Sequence, residues 1–292
     1  MNEKVLVTGA PGNIGTEVVY ALRALKADYR IAAFDTELAK KVFGGAEDIV
    51  QFDFLKPETY QQTFEGIDRM FLVRPPQLAN VKRDIAPALH AAAEAGVKQI
   101  VFLSIQGVEN NKIVPHYKIE VAIKALGMAY TFLRCGFFMQ NLSTTHRDEI
   151  KNENIIYIPV GEAKTSFIDA RDIAAVAAKV LTEKGHGNQT YTLTGSEALN
   201  YYEVAEIMSE VLERKIAYKN PSALGFFFQQ IKKGTKLGYA VVVTLLYTIT
   251  KRGNAEDTSD DVETILQRKP ILFEQFVQDN KEIWNNSASP IG

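Results

Sequence analysis

The sequence predicts an α/β protein, a doubly wound parallel sheet followed by a smaller mixed α/β C-terminal lobe. Three observations carry this. Short apolar runs alternate with segments of helical period through the first half, the pattern of βαβ units whose strands are buried on both faces. The first run turns on glycines 9, 12 and 15 in "VLVTGAPGNIGTEVV" before an apolar helical pattern resumes. After about residue 150 the rhythm changes to shorter strand-like pieces and then mostly helix.

Taken in order, residues 5–8 form the first strand and residues 14–27 the first helix. Further strands are expected at 30–34, 49–52, 69–73, 99–104 and 130–134, with helix-period apolar faces at 58–65, 81–95 and 117–126. Gly96 and Gly127 follow the last residues of the final two helices, where a left-handed cap favours glycine. Later, "IIYIPV" is strand-like, "SFIDARDIAAVAAKVL" reads as strand then helix, and "TYTLTG" as strand. The expected division is a first domain over 1–150 and a lobe over 151–292 that is not independent and has strands able to join the main sheet.

Composition narrows the function. The 292 residues are 46% hydrophobic, enough for a real core. Thirty-three basic residues against 35 acidic ones leave a net charge of -2 with no block of like charge, so the footprint of a nucleic-acid binder is missing and a small molecule is the expected partner. One cysteine rules out an internal disulfide and a cysteine-based zinc cage. No signal peptide pattern opens the chain, so a cytoplasmic protein is expected, monomeric or homodimeric. His90, His116, His146 and His186 are scattered without partner acids at ligand spacing, and no metal is expected. The longest apolar run, residues 239–250, covers about half of the roughly 20 residues a membrane span needs, so it reads as a buried helix, a lid or a subunit interface, with no membrane partner.

A strand, a glycine turn and a helix N-terminus make an anion site, because free N–H groups and the helix dipole point at the same place. In "GAPGNIG" Gly9 permits the tight turn, Gly12 lets the backbone approach a pyrophosphate, and Gly15 lets the helix pack closely, with Asn13 and Ile14 between them. Asp35 ends the second strand twenty positions beyond Gly15, where a carboxylate accepts hydrogen bonds from the adenosine ribose of NAD and repels the phosphate of NADP. NAD is therefore favoured, although Lys40 or Lys41 leaves NADP open. Asp35 also has a plain reading as a solvated loop residue. In "FDFL", Asp53 and Phe54 stand near the adenine edge, or Asp53 caps the next helix. Val73, Arg74 and Pro75 leave the fourth strand at the same edge, where they are expected to run along the cofactor with backbone contacts in a loop stiffened by two prolines.

The segments "VTGAPGNIG", "GIDRMFLVRPP", "VKQIVFLSIQG", "MAYTFLRCGFFMQN", "SFIDARDIAAVAAKVL" and "YTLTGSEALNYYEVAEIMSEVL" together resemble the NmrA-like branch of the atypical short-chain dehydrogenases/reductases over nearly the whole chain. The resemblance implies a Rossmann-type domain that binds NAD(P) and a small lobe closing over a substrate cleft. It implies two classes of function: reductases of quinones, azo dyes and other acceptors, and dinucleotide-binding redox regulators. Two positions depart from the family pattern. Asp35 replaces a more usual arginine, and Cys135 stands where proline commonly follows arginine; its thiol is either a buried, inert group or part of the nicotinamide side of the cleft.

Reduction of a ketone in this superfamily uses a tyrosine with a lysine four residues later. Ser104 and Tyr117 match the serine–tyrosine spacing, but position 121 is Val121; Lys118 is the lysine of the family's own segment, and four residues before it stands Val114. The dyad is broken in either register. Alcohol oxidation and reduction of an unactivated ketone are thereby disfavoured, since a tuned acid/base contributes a factor of about 10² to 10⁴, and a nucleotide-sugar epimerase suffers most. Hydride transfer to a planar, electron-poor acceptor such as a quinone or azo compound needs less help, with water or Lys118 supplying the proton. Lys118 is otherwise a ribose contact or a solvated lysine, and Tyr117 an ordinary helix tyrosine. "RCGFFMQN" supplies Cys135, Phe137, Phe138 and Asn141 as candidates for the substrate cleft, with packing as the alternative for the two phenylalanines. Against the reductase stands a non-catalytic NAD(P)-binding sensor.

Overall fold

The strand β1 (Val5–Thr8) is buried at all four positions, as a central parallel strand must be. It leads into α1 (Asn13–Ala24), which buries Ile14, Val18, Val19 and Leu22 along one face. The structure, a computed structural model, describes residues 3–253 and 255–285. Then follow β2 (Tyr29–Ala33), α2 (Thr36–Phe43), β3 (Ile49–Gln51), α3 (Tyr60–Phe64), β4 (Arg69–Leu72), α4 (Val81–Asp84), α5 (Ala86–Glu94), β5 (Gln99–Ile105), α6 (Pro115–Ala125) and β6 (Ala129–Cys135). The helix α2 is absent from the sequence expectation because only Ala39 and Phe43 of its eight residues are buried. The single helix expected over 81–95 is two helices broken at Ile85. Pro87, which has no N–H to donate and crowds the preceding turn, starts α5 instead of continuing α4. Gly96 and Gly127 both take left-handed φ, +92° and +71°, behind their helices.

The second half contributes β7 (Phe137–Phe138), α7 (Gln140–Ser143), α8 (Arg147–Glu153), β8 (Ile155–Tyr157), β9 (Thr165–Ile168), α9 (Ala170–Thr182), β10 (Gln189–Leu193), β11 (Ala198–Leu199), α10 (Tyr201–Val211), β12 (Ala217–Lys219), α11 (Ala223–Lys232), α12 (Leu237–Thr250), α13 (Asp261–Leu266) and α14 (Phe273–Asp279). The N-terminus of α10 carries a capping box between Asn200 and Glu203. Asp172 stands in the first turn of α9, where an acid suits the helix dipole.

Seven strands form one sheet in the order β10-β6-β5-β4-β1-β2-β3, and every pairing in it is parallel. Two smaller sheets have the orders β11-β9-β7 and β12-β8. The chain divides into two compact units. The first comprises the stretch through Cys135, Ala170–Leu193 and Thr264–Gln267, and so holds the seven-stranded sheet with α9 packed on α1. One face of that sheet buries Leu6, Met70, Phe102 and Phe132 against α3, α5 and α6. The second unit comprises Gly136–Asp169, Thr194–Glu263 and the stretch from Arg268, with its own core around Ile158, Met208, Phe276 and Trp284.

Candidate functional site

Because every pairing in the large sheet is parallel, the carboxyl ends of its strands lie along one edge. Gly9, Asp35, Asp53 and Val73, just beyond β1 to β4, and Ser104 and Cys135, within the last two residues of β5 and β6, therefore lie on the same side. Strand order reverses between β1 and β4, since β2 and β3 lie to one side of β1 and β4, β5 and β6 to the other. Open α/β sheets bind ligands in the crevice at such a reversal.

The two strands flanking the crevice are tied together at its floor. Thr8 is buried and its Oγ1 donates to the Phe71 carbonyl at 3.0 Å and accepts from the Val73 N–H at 2.9 Å. Gly9 adopts φ +79°, a conformation that side chains resist, and a Cβ there would stand 2.7 Å from the Val73 Cβ. Gly12 donates its N–H to the Gly9 carbonyl at 2.8 Å and begins α1. A Cβ on Gly12 would meet the Gly9 oxygen at 2.7 Å, and one on Gly15 would meet the Gly9 carbonyl carbon at 2.5 Å. The third glycine is thus explained by the loop folding back on the helix, a contact closer than the strand–helix packing expected.

This loop fits a pyrophosphate. The N–H groups of Asn13, Ile14 and Gly15 are those that helical geometry leaves without an acceptor in the helix. No side chain caps α1 and no acid occupies its first turn, so its positive end is left for an anion.

Around the loop the other candidates take definite positions. The Asp35 carboxylate follows β2 and accepts the Leu38 N–H at 2.9 Å, capping α2; Phe34 beside it is 73% exposed. Lys40 is paired with Glu37 at 2.8 Å. Asp53 accepts the Leu55 N–H at 2.9 Å, while the Phe54 ring is buried 4.6 Å from that of Phe52. Arg74 turns its guanidinium onto its own loop, donating to the carbonyls of Pro75, Pro76 and Leu78 within 3.1 Å, and burial lowers its pKa. That fixes the backbone of Val73 to Pro75 more firmly than the prolines alone would.

The residues considered for chemistry are placed less as the sequence suggests. Ser104 is buried and donates its hydroxyl proton to Glu120 Oε1 at 2.7 Å. Glu120, itself buried, also accepts from Arg134 Nε at 3.1 Å and Nη2 at 2.8 Å, and Arg134 Nη1 reaches Glu109 at 2.7 Å. Sequence reasoning missed this network. Its signal lies in the strand register, where Ser104 faces Arg134 across β5 and β6 while the connecting α6 supplies Glu120. Tyr117 is half-buried on α6. Lys118 is exposed and lines an open groove of roughly 690 Å³ with Asn80, Lys82 and Val121. His116, set aside as a scattered histidine, stacks on Phe102 at 5.9 Å, and burial together with the Arg74 charge lowers its pKa to about 3. It is neutral at pH 7.

Cys135, at the end of β6, is 4% exposed, and burial drives its thiol far above the ordinary range, which leaves it inert. In the second unit Phe137 and Phe138 form the half-buried β7, with the Phe137 ring stacked 6.3 Å from Tyr247, and Asn141 sits half-buried in α7. The same unit contains an unanticipated chain of polar groups, buried from Tyr247 to Glu149 and ending on the exposed Lys233. Tyr247 Oη lies 2.7 Å from His146 Nε2, His146 Nδ1 lies 2.8 Å from Glu149 Oε1, and Lys233 Nζ donates to Glu149 Oε2 at 2.6 Å.

The NmrA-like family model matches residues 1–277. The chain is 35% identical over 290 residues to NAD(P)H azoreductase of Xenophilus azovorans, an alignment covering 94% of this chain and 96% of that protein. It is 28% identical over 287 residues to Prestalk A differentiation protein A of Dictyostelium discoideum, covering 97% and 93%. Among solved structures it is similar to Citrobacter sp. triphenylmethane reductase complexed with NADP(H), with a TM-score of 0.82 and 25% identity over 94% of this chain and 99% of that one.

Proposed function

We infer from the chain's family, since it belongs to the NmrA-like family, that it is an NAD(P)H-dependent reductase of small, planar, electron-poor acceptors such as azo compounds and quinones. The observation that carries the reading is the glycine loop, which closes on Gly9 and Val73 and leaves the N-terminus of α1 uncapped and free of acids. The similarity to an azoreductase and to a triphenylmethane dye reductase supports the acceptor class.

The nicotinamide, when bound, supplies the hydride. Asn13, Ile14 and Gly15 would hold the pyrophosphate with their N–H groups, and the Val73–Pro75 backbone, held by Arg74, would stand beside it. Reduction of such an acceptor needs no residue to deprotonate a substrate alcohol, and among the described residues no tyrosine–lysine dyad is arranged to do so. Ser104 donates its hydroxyl hydrogen bond to Glu120, Tyr117 has Val121 where the lysine would stand, and Lys118 or water provides the proton that follows the hydride. Replacing Ser104 with alanine is accordingly expected to leave kcat within about threefold while costing about 1–2 kcal/mol of stability, because Glu120 loses a buried donor. A fall in kcat of about a hundredfold would return Ser104 to catalysis.

The coenzyme preference we assign to NAD, on the Asp35 carboxylate at the end of β2. Exchanging it for arginine reverses a repelling charge, and Asp35→Arg is expected to raise the ratio of NADPH to NADH affinity by roughly tenfold or more. An unchanged ratio in calorimetric titration shows that Asp35 serves only α2. The second reading, a dinucleotide-binding regulator, draws on the committed Ser104 hydroxyl. The deciding experiment titrates the protein with NADH and NADPH, then follows the nicotinamide absorbance as azo dyes and quinones are added. Oxidation that depends on the acceptor supports the reductase, and binding without turnover on any acceptor supports the regulator.

A further inference from the structure

The helical pair α11 and α12 breaks the usual pattern of a surface helix. α12 buries Ala240, Val243, Tyr247 and Thr250 on one side, as an amphipathic helix should. Its opposite side is apolar as well, with Val242 62% exposed, Leu245 57%, and Val241 and Leu246 beside them. On α11 the exposed Phe228 and Leu224 extend the same character. No charged residue falls within the fourteen of α12. A helix that is apolar all round needs a partner on its outer side.

Charge identifies that partner. The apolar stretch is bracketed by exposed cations, Lys232 and Lys236 before it and Lys251 and Arg252 after it. Between Glu213 and Glu256 the chain contains no acid at all, in a protein whose net charge is -2. A second copy of the same face fits poorly, because both ends of the stretch are positive and any pairing of α12 with itself, parallel or antiparallel, sets cations against cations. Apolar side chains between cations match the boundary of an anionic bilayer, where the helix lies in the plane and the lysines reach the headgroups. At about 1.5 Å per residue α12 is about 21 Å long, too short to span a hydrocarbon core of about 30 Å. No helix among the described residues is long and apolar enough to cross a membrane.

We propose that the α11–α12 face, with its bracketing Lys232, Lys236, Lys251 and Arg252, docks the protein on anionic lipid surfaces. The expectation of no membrane partner rests on the length that a span needs; a helix lying in the interface needs no span. The proposal goes beyond the reductase reading and is independent of it.

Flotation of the full-length protein with vesicles of phosphatidylcholine mixed with phosphatidylglycerol tests it, against vesicles of phosphatidylcholine alone. Binding is expected to the mixed vesicles, to weaken with added salt, and to fall roughly tenfold or more in Lys236→Glu/Lys251→Glu, since each cation near such a surface contributes appreciably. Val242→Glu/Leu245→Glu, at exposed positions, is expected to abolish binding while leaving the circular dichroism spectrum and NADH affinity of the parent. Three results overturn the proposal. They are no binding to mixed vesicles, binding that Val242→Glu/Leu245→Glu does not reduce, and a solution dimer, seen by light scattering, that the same pair dissociates.

Discussion

Gly12→Val loses NADH and NADPH binding by about a hundredfold or more in calorimetric titration, the largest effect expected of any single change in the first unit. A Cβ at Gly12 stands 2.7 Å from the Gly9 carbonyl oxygen, and that obstacle is backbone that no rotamer change can move aside. On the proposed reading, the two further methyl groups of valine would crowd the space in which a pyrophosphate would meet the N–H groups of Asn13 to Gly15. A hundredfold corresponds to about 2.7 kcal/mol, modest for removing an anion from its donors. Two companions separate binding from folding. Gly45→Ala, where a Cβ meets nothing within 4 Å, leaves affinity and Tm unchanged, whereas Gly15→Ala pushes α1 off the Gly9–Ala10 backbone and lowers Tm as well. Unchanged affinity in Gly12→Val removes the glycine loop from the dinucleotide site and the proposed function with it.

The loop was legible in the sequence because its physics is local. A strand, three glycines and a helix N-terminus lie within twenty residues, and each glycine answers a contact with a neighbour in the chain or with the adjacent strand. The parallel sheet was legible for a similar reason, since strands buried on both faces, such as residues 99–105, read as continuous apolar runs. What escaped depends on distance along the chain. The partner of Ser104 is sixteen residues away on a helix, and only the β5–β6 register brings Arg134 to the same carboxylate. The sequence shows no α2 because a short helix with two buried residues leaves little periodicity, and its clearest mark, the Asp35 cap, reads in sequence as a ribose ligand or a solvated loop residue. The two readings are compatible in principle, as a carboxylate has more acceptor sites than the one Leu38 uses. The apolar run in α12 reads in sequence as a buried helix, a lid or a subunit interface, because hydropathy reports a preference for burial without saying what supplies the cover.

Glu149→Gln is expected to destabilise the protein by about 3 kcal/mol at pH 7, lowering Tm by about 6–12 °C. Glu149 is 2% exposed, and burial alone would raise its pKa. The hydrogen bonds and charges of His146 and Lys233 outweigh burial and hold the carboxyl below its ordinary value of 4.5. A group whose pKa is depressed by folding binds its proton less readily in the native state than in the unfolded one. Its contribution is therefore complete above the ordinary carboxylate range and disappears as pH falls through the native pKa. The gap between wild type and Glu149→Gln should be widest near neutrality and narrow below about pH 4. Lys233→Met costs less than Glu149→Gln, because the Lys233 side chain is 36% exposed and water screens its share of the pair. Thermal denaturation at both pH values decides the matter. A gap of equal size at neutral and acid pH means that the chain from Tyr247 to Lys233 acts by packing alone, and that the buried charge of Glu149 contributes nothing of its own.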